Sequence, residues 1–432
     1  MEGTPDESSS IWREPAFVRL WTASTISYVG SFVTRTALPL AAIYVLQAGP
    51  IELSVIRSLE FIAWLLIGLV AGAWVDRLRR RPIMIVADVG RALLLGSIPI
   101  AAIAGALTLA QLIVVAFFAA MLSTFFNTAS SAYLPTIVSR GRLLAANGAL
   151  SASASAAEFT GFALSGILVQ VLTAPIAIAV DAISFVGSAV LLATIRRTEP
   201  PHPAVADRAP MLHEIREGIR VVARSPILRA LAAAHAATHI LWGVFGATYL
   251  LFATQEIGLG PAAIGIVVAL GGLGSLAGAT VAGRVAQRLG IGRAMVLGLI
   301  GMTIGDALIP LAPAGAVFIG GAFLVAQQLI GDSSGTVYEV VEQSLTQSVV
   351  EARLLGRVNA TISFATTVLA LGGSILGGVI GELFGLRAAL TVGVLGGATA
   401  VLFVWFSPVR SMRTIPELPL PSLRIEDLPQ TE

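Results

Sequence analysis

Several ionisable residues stand inside long apolar stretches, where a charge is costly and usually has a task. Glu158 lies eleven residues into one such stretch, with no cation near it in sequence. A carboxyl buried in hydrocarbon favours its neutral form, so it can load and release a proton and can attract a cationic solute. A carboxyl that stays hydrogen-bonded and never titrates fits the same letters. Arg35 lies 16 residues beyond Arg19, and Glu60 lies 16 residues before Asp76. At helical rise both are about 24 Å from one boundary. This predicts an Arg35–Glu60 pair on adjacent helices that holds a substrate, gates the outer side, or is a structural ion pair. Asp181 reads mainly as structural, and Asp306 as a weaker candidate. Asp332, within Gly331-Asp-Ser-Ser-Gly335, is polar enough to line a cavity, with Glu339 and Glu342 further along. Asp88 and Arg91 are i, i+3 neighbours that can pair locally.

A second group is aromatic and basic. His235 and His239 stand four residues apart, followed by Trp242, Phe245 and Tyr249. Two histidines at this spacing can bind a metal, but no third ligand is evident, so no metal site is expected. A polar and aromatic stripe facing a cavity suits a bulky small molecule. Trp242, Phe245 and Tyr249 can equally be packing or lipid-facing residues.

These residues need a scaffold, and composition names its solvent. The 432 residues are 56% hydrophobic and 12% charged, with mean hydropathy +0.87. A soluble chain carries about a quarter charged residues. There is no cysteine, which excludes disulfides and thiolate metal sites, and all 27 basic residues are arginine. A net charge of +2 suggests no nucleic-acid partner. Twelve stretches can each span a bilayer as a helix: 17–47, 53–75, 83–104, 108–133, 147–171, 175–195, 227–254, 261–285, 293–312, 315–342, 358–384 and 388–407. Residues 1–16 are polar and net acidic, wrong for a signal peptide. Residues 196–226 read as a Pro-rich linker followed by an amphipathic helix on the cytoplasmic face. The tail 408–432, with four prolines beyond Pro408, is expected to be largely disordered.

Arginine placement sets the topology. Alternate loops and both tails hold 23 arginines, and the other loops only Arg57 and Arg387. The positive-inside rule puts the basic loops and both termini in the cytoplasm. The densest loop is Gly72-Ala-Trp-Val-Asp76-Arg77-Leu-Arg79-Arg80-Arg81, and a weaker copy, Gly283-Arg-Val-Ala-Gln287-Arg288, begins 211 residues later. A second match pairs Leu143-Leu-Ala-Ala-Asn147 with Leu355-Gly-Arg-Val-Asn359 at an offset of 212. Two matches at nearly one offset indicate duplication. The expected fold is an all-α integral membrane protein: twelve transmembrane helices in two six-helix bundles, 17–195 and 227–407, related by a pseudo-two-fold axis. In the basic turn Gly72 permits close helix approach, Asp76 can accept from a helix N-terminus, and Arg77, Arg80 and Arg81 can bridge to acidic partners or lipid. The turn is then a conformational latch, or simply a topology signal.

Gly72-x-x-x-Asp76-Arg77-x-x-Arg80-Arg81 resembles the best-known signature of the major facilitator superfamily, with the Gln287 copy as its degenerate counterpart. Ala37-Leu-Pro-Leu, Asn127-Thr-Ala-Ser-Ser-Ala-Tyr-Leu-Pro135, Arg142-Leu-Leu-Ala-Ala-Asn147 and Glu217-Gly-Ile-Arg220 are similar to the twelve-helix drug-efflux branch that includes macrolide efflux pumps and the enterobactin exporter. The Gly-Pro pair that many antiporters carry in helix five is replaced by Gly161-Phe162. The resemblance implies a monomeric secondary transporter in the bacterial inner (plasma) membrane. It would export drug-, macrolide- or siderophore-like molecules by alternating access, with a proton gradient and no cofactor. A metabolite importer or uniporter, or more distantly a sensor or lipid-handling protein, fits the same scaffold. An enzyme is not expected, since no Gly-rich phosphate loop with lysine and no nucleophile motif appears.

Overall fold

The computed structural model describes residues 10–75, 77–196, 199 and 211–414, and these are helical without strands. The helices run α1 (Pro15–Leu46), α2 (Pro50–Val75), α3 (Arg80–Ile103), α4 (Leu109–Ile137), α5 (Leu143–Leu172) and α6 (Ala174–Ala193). Then come α7 (Met211–Arg224), α8 (Pro226–Leu251), α9 (Pro261–Leu289), α10 (Ile291–Leu311), α11 (Val317–Gln327), α12 (Ser333–Val349), α13 (Ala352–Phe384) and α14 (Leu386–Trp405). Ten helices among the described residues are long and apolar enough to cross a membrane. The 26-residue α2, together with α11 and α12 joined by a π-helical stretch at Gln328–Asp332, completes the twelve spans. The tenth span is therefore one continuous helix with a π-helical bulge in it. Starts are locally encoded: Thr108 accepts from the Gln111 amide, and Ser225 from that of Leu228 ahead of Pro226, two side-chain caps of the usual kind.

The chain forms two compact units. The first holds α1 to α6 without Leu53–Arg57, and adds Gly260–Ala269; the second holds α7 to α14 without that start of α9, and adds Leu53–Arg57. In the first unit α1 packs on α5 and α6, and α3 on α4 and α6. In the second, α8 packs on α13 and α14, and α10 on α12 and α14. The same pairing thus recurs at corresponding helices. Phe17, Leu20, Met84, Phe126 and Tyr133 fill the core of the first unit, and Leu228, Leu231, Met295 and Leu345 that of the second. Leu93, Ile103, Ile183 and Leu395 are exposed, a surface that water would not tolerate over this extent and lipid does.

The repeat is also written in the backbone. Thr173, between α5 and α6, has φ 91° and ψ 156°; Gly385, between α13 and α14, has φ 89° and ψ 158°. That region is nearly reserved for glycine, so the first copy holds strain the second avoids. Thr173→Gly is expected to gain about 1 kcal/mol after the extra chain entropy of glycine. Thermal unfolding in detergent checks this; a lower midpoint would mean that the threonine side chain contributes more than its strain costs.

Three expectations about the ends and the linker change. Residues before α1 are not all tail: Ile11–Arg13 form a 3-10 turn with Ile11 buried, and Trp12 packs edge-on against Phe17 and Trp21. Nor is the tail disordered from 408. Pro408–Ser411 form a 3-10 turn, and the Met412 carbonyl accepts from the Gly292 amide at 3.0 Å, because the N-terminal amides of α10 need acceptors. The amphipathic helix α7 does not simply lie on a membrane face. Val221 is buried in the core of the second unit with Leu354 and Val358, Glu217 pairs with Arg357 of α13, and Gly218 leaves room for Thr361.

Candidate functional site

Arg81 is the working residue of the basic turn. Its guanidinium donates to the carbonyls of Leu192 (2.8 Å) and Ala193 at the end of α6, and Arg19 donates to Thr194 there at 2.9 Å. Two cations thus sit on the negative end of the α6 dipole. Glu199 answers from the following segment: its two carboxylate oxygens accept from the backbone amides of Arg80 and Arg81, each at 2.8 Å. The turn therefore ties α3 to the end of α6 inside one unit. Arg77 is exposed. Gly72 lies in α2, and Asp76 lies outside the described residues, so its expected role gains no geometry here. Glu199 was missed in the sequence because it sits in a Pro-rich linker, where no periodicity marks it.

The first unit encloses a polar cluster. Arg91 of α3 pairs with Asp88 one turn below it, donates to Ser123 of α4 at 3.3 Å, and lies over the rings of Phe126 (4.7 Å) and Phe185 (4.0 Å). Asp181 of α6 accepts from Thr34 of α1 and from Ser184 at 3.0 Å, and feels the Arg91 charge. Gly30 leaves the space that Asp181 and Ser184 occupy. All three charged residues are at most 2% exposed. The local Asp88–Arg91 pair is present as expected, and Asp181 is buried and hydrogen-bonded. Their union into one cluster was not visible in sequence, because 90 residues separate Arg91 from Asp181.

Glu158 corrects the expectation of a buried carboxyl. It is exposed, as are Ser151, Ser155 and Thr160 on the same helix. Depth along a span and burial are different quantities: the buried face of α5 is Ala157, Gly161 and Ser165, with Gly161 against Phe32 of α1. Arg35 on α1 and Glu60 on α2 each engage a partner.

The second unit carries the histidine stripe on α8. The rings of His235 and His239 stack at 4.5 Å, and His239 Nδ1 lies 2.9 Å from the His235 carbonyl. Trp242 is exposed, whereas Phe245 is buried. On the same face Gly246 adjoins Arg57, and the Tyr249 hydroxyl is enclosed without a partner. Asp332 ends the π-helical stretch of the tenth span. It interacts electrostatically with Asp306 and Tyr249, and Gly271 of α9 gives it room. Asp306 is buried and accepts from Gln327 Nε2 at 3.2 Å. Past the C-terminal end of α10, Arg387 donates to the carbonyls of Pro310 and Ala312 (2.9 Å) and pairs with Glu256 at 3.2 Å.

The sequence matches the family described as transmembrane secretion effector over residues 8–427. The chain belongs to the major facilitator superfamily. Among relatives in this superfamily, the MFS-type transporter YfiS of Bacillus subtilis (strain 168) is 25% identical over 392 residues, covering 88% of this chain and 90% of YfiS. The MFS-type transporter y4rN of Sinorhizobium fredii (strain NBRC 101917 / NGR234) is 30% identical over 275 residues, covering 62% and 64%. Solved superfamily-like folds include a bacterial homologue of the iron transporter ferroportin, with TM-score 0.72, 16% identity, and coverage of 92% of this chain and 99% of that one. A bacterial homologue of the lysosomal transporter Spinster gives 0.71 at 12% identity, covering 92% and 97%. These likenesses establish the fold. A superfamily member of this kind is a multi-pass membrane transporter, and catalytic activity is not a general property of the family.

Proposed function

We propose that this transporter exports bulky, mostly apolar small molecules by alternating access, in exchange for protons, as drug- and siderophore-exporting members of the twelve-helix branch do. The observation that carries this reading is the exposure of Glu158. A carboxylate halfway along a membrane helix, exposed beside Ser151, Ser155 and Thr160, faces an aqueous path rather than lipid. Within the second unit, His235, His239 and Trp242 of α8 offer polar and aromatic groups, which suit large cationic or amphipathic cargo better than a small sugar. The family's description as a secretion effector supports the outward direction. The arginine distribution supports a cytoplasmic location for both termini in a bacterial inner (plasma) membrane, and we take the working unit to be a monomer.

Inside-out vesicles loaded with the protein should accumulate amphipathic cations when the lumen is made acidic, several-fold over vesicles without a gradient. Glu158→Gln should weaken accumulation of cationic cargo more than of neutral cargo. Accumulation driven equally well without any gradient would sink the antiport reading. A compound panel moved only in the opposite sense would sink export.

A further inference from the structure

Gln327 holds a buried polar atom that the rest of the second unit leaves unsatisfied. The side chain is 4% exposed. Its Nε2 donates to Asp306 Oδ1 at 3.2 Å, while its Oε1 is enclosed and has no hydrogen-bond partner. Asp306 is 5% exposed, and among the described residues it has no cationic partner. Each of these facts is costly by itself. An orphaned buried acceptor forfeits its hydration, and an uncompensated carboxylate in a membrane interior forfeits more.

One proton removes both costs. A carboxylic acid and a primary amide can form a cyclic pair: the amide N–H donates to one carboxyl oxygen, and the carboxyl O–H donates to the amide oxygen. The first of these two bonds is present between Gln327 and Asp306. The second needs a proton on the carboxyl, and the unpartnered Gln327 Oε1 is the acceptor for it. We propose that Asp306 and Gln327 form a carboxyl–amide pair that binds the coupling proton of this transporter. The proposal rests on the proton-exchange reading above and names its site.

The surroundings suit a proton that comes and goes. Asp306 is 15 residues past Ile291, about 22 Å from the cytoplasmic start of α10, hence in the outer half of the bilayer. Gln327 is the last residue of α11, at the point where the π-helical stretch Gln328–Asp332 begins. Such π-bulges mark functional sites and let a helix shift register. Gly305 and Gly331 bring α10 and this stretch into backbone contact. The charged group near Asp306 is Asp332 at the end of the stretch, which in turn lies near Tyr249 of α8. Beyond them stand Arg57 beside Gly246 and, at the outer end, Arg387 already engaged by Glu256; Gly271, Gly274 and Gly278 of α9 lie against residues 328–333. Loss of the proton leaves a charge near Asp332, and repulsion between the two carboxylates favours opening of the glycine contact. Binding of the proton favours its closure.

The test uses the full chain in vesicles with an amphipathic cation as probe. Asp306→Asn keeps the shape and the amide partner but cannot titrate. Uptake driven by a pH gradient should fall at least tenfold, while counterflow of the probe without a gradient continues. Difference infrared spectra of the wild type should show a protonated-carboxyl stretch that vanishes in Asp306→Asn and shifts in Gln327→Ala, where the O–H loses its acceptor. An Asp306→Asn protein that keeps both gradient-driven uptake and the band overturns the proposal, as does loss of counterflow together with uptake. Uptake driven by sodium and not by protons also overturns it. A wild type that shows the band yet ignores the pH gradient overturns proton exchange and the coupling role, while leaving the protonated pair itself established.

Discussion

Arg91→Met should lower the stability of the first unit by about 3–5 kcal/mol, the usual cost of breaking a buried ion pair by removing one partner. The methionine fills much of the volume and can still touch Phe126 and Phe185, so packing is not the main loss. What remains is Asp88 without its partner and Asp181 without the field of the guanidinium. Thr34 and Ser184 keep donating to Asp181, but hydroxyls cannot neutralise it. The second substitution Asp88→Asn on top of Arg91→Met should recover part of the loss, since it removes one orphaned charge. Thermal unfolding followed by size-exclusion chromatography in detergent reads both effects. A midpoint within two or three degrees of wild type would show that water reaches the cluster and that the charges do not depend on each other.

Gly243→Leu should yield no folded protein. A Cβ at Gly243 would press on the Ala370 carbonyl of α13 and lie 2.8 Å from the Ser374 amide nitrogen. Opposite it, Gly373 and Gly377 lie against the backbone of Ile240 and Val244. The two helices thus meet backbone to backbone, the close approach that small residues permit within membranes. Nothing at this crossing is a flexible side chain that can turn aside, so a leucine must part α8 from α13. The cost exceeds the ~1–3 kcal/mol typical of overpacking, because a long contact is lost and not merely strained. Gly396 on α14 provides the control, since nothing lies within 4 Å of a Cβ there. Gly396→Leu should express and purify as the wild type does. Equal yields of monodisperse protein from the two variants would refute this account of the crossing.

The twelve spans were legible because a bilayer demands about 20 apolar residues per crossing. The duplication was legible in two short matches, yet its clearest trace, Thr173 against Gly385, is a shared conformation carried by unlike residues. No residue signal marks the π-helical bulge at Gln328–Asp332, so the tenth span was legible as a span but not in its local winding. Helix α7 showed its amphipathic face, but a pattern of apolar residues does not distinguish lipid from a neighbouring helix such as α13. Charged residues were easy to find and hard to rank. Glu158 looked buried because depth was taken for enclosure. Asp306 looked minor because its amide partner stands 21 residues away on another helix.

The two units solve one problem in different materials. At the start of α3 the free amides are met by the Glu199 side chain; at the start of α10 they are met by the backbone carbonyls of Met412 and Arg413. A carbonyl is supplied by every residue type, so drift at positions 412 and 413 leaves that cap untouched. At position 199 a single codon change to valine, alanine or lysine removes it. After duplication, one copy became tolerant of mutation at this point and the other stayed brittle, and ionic strength will loosen only the brittle one.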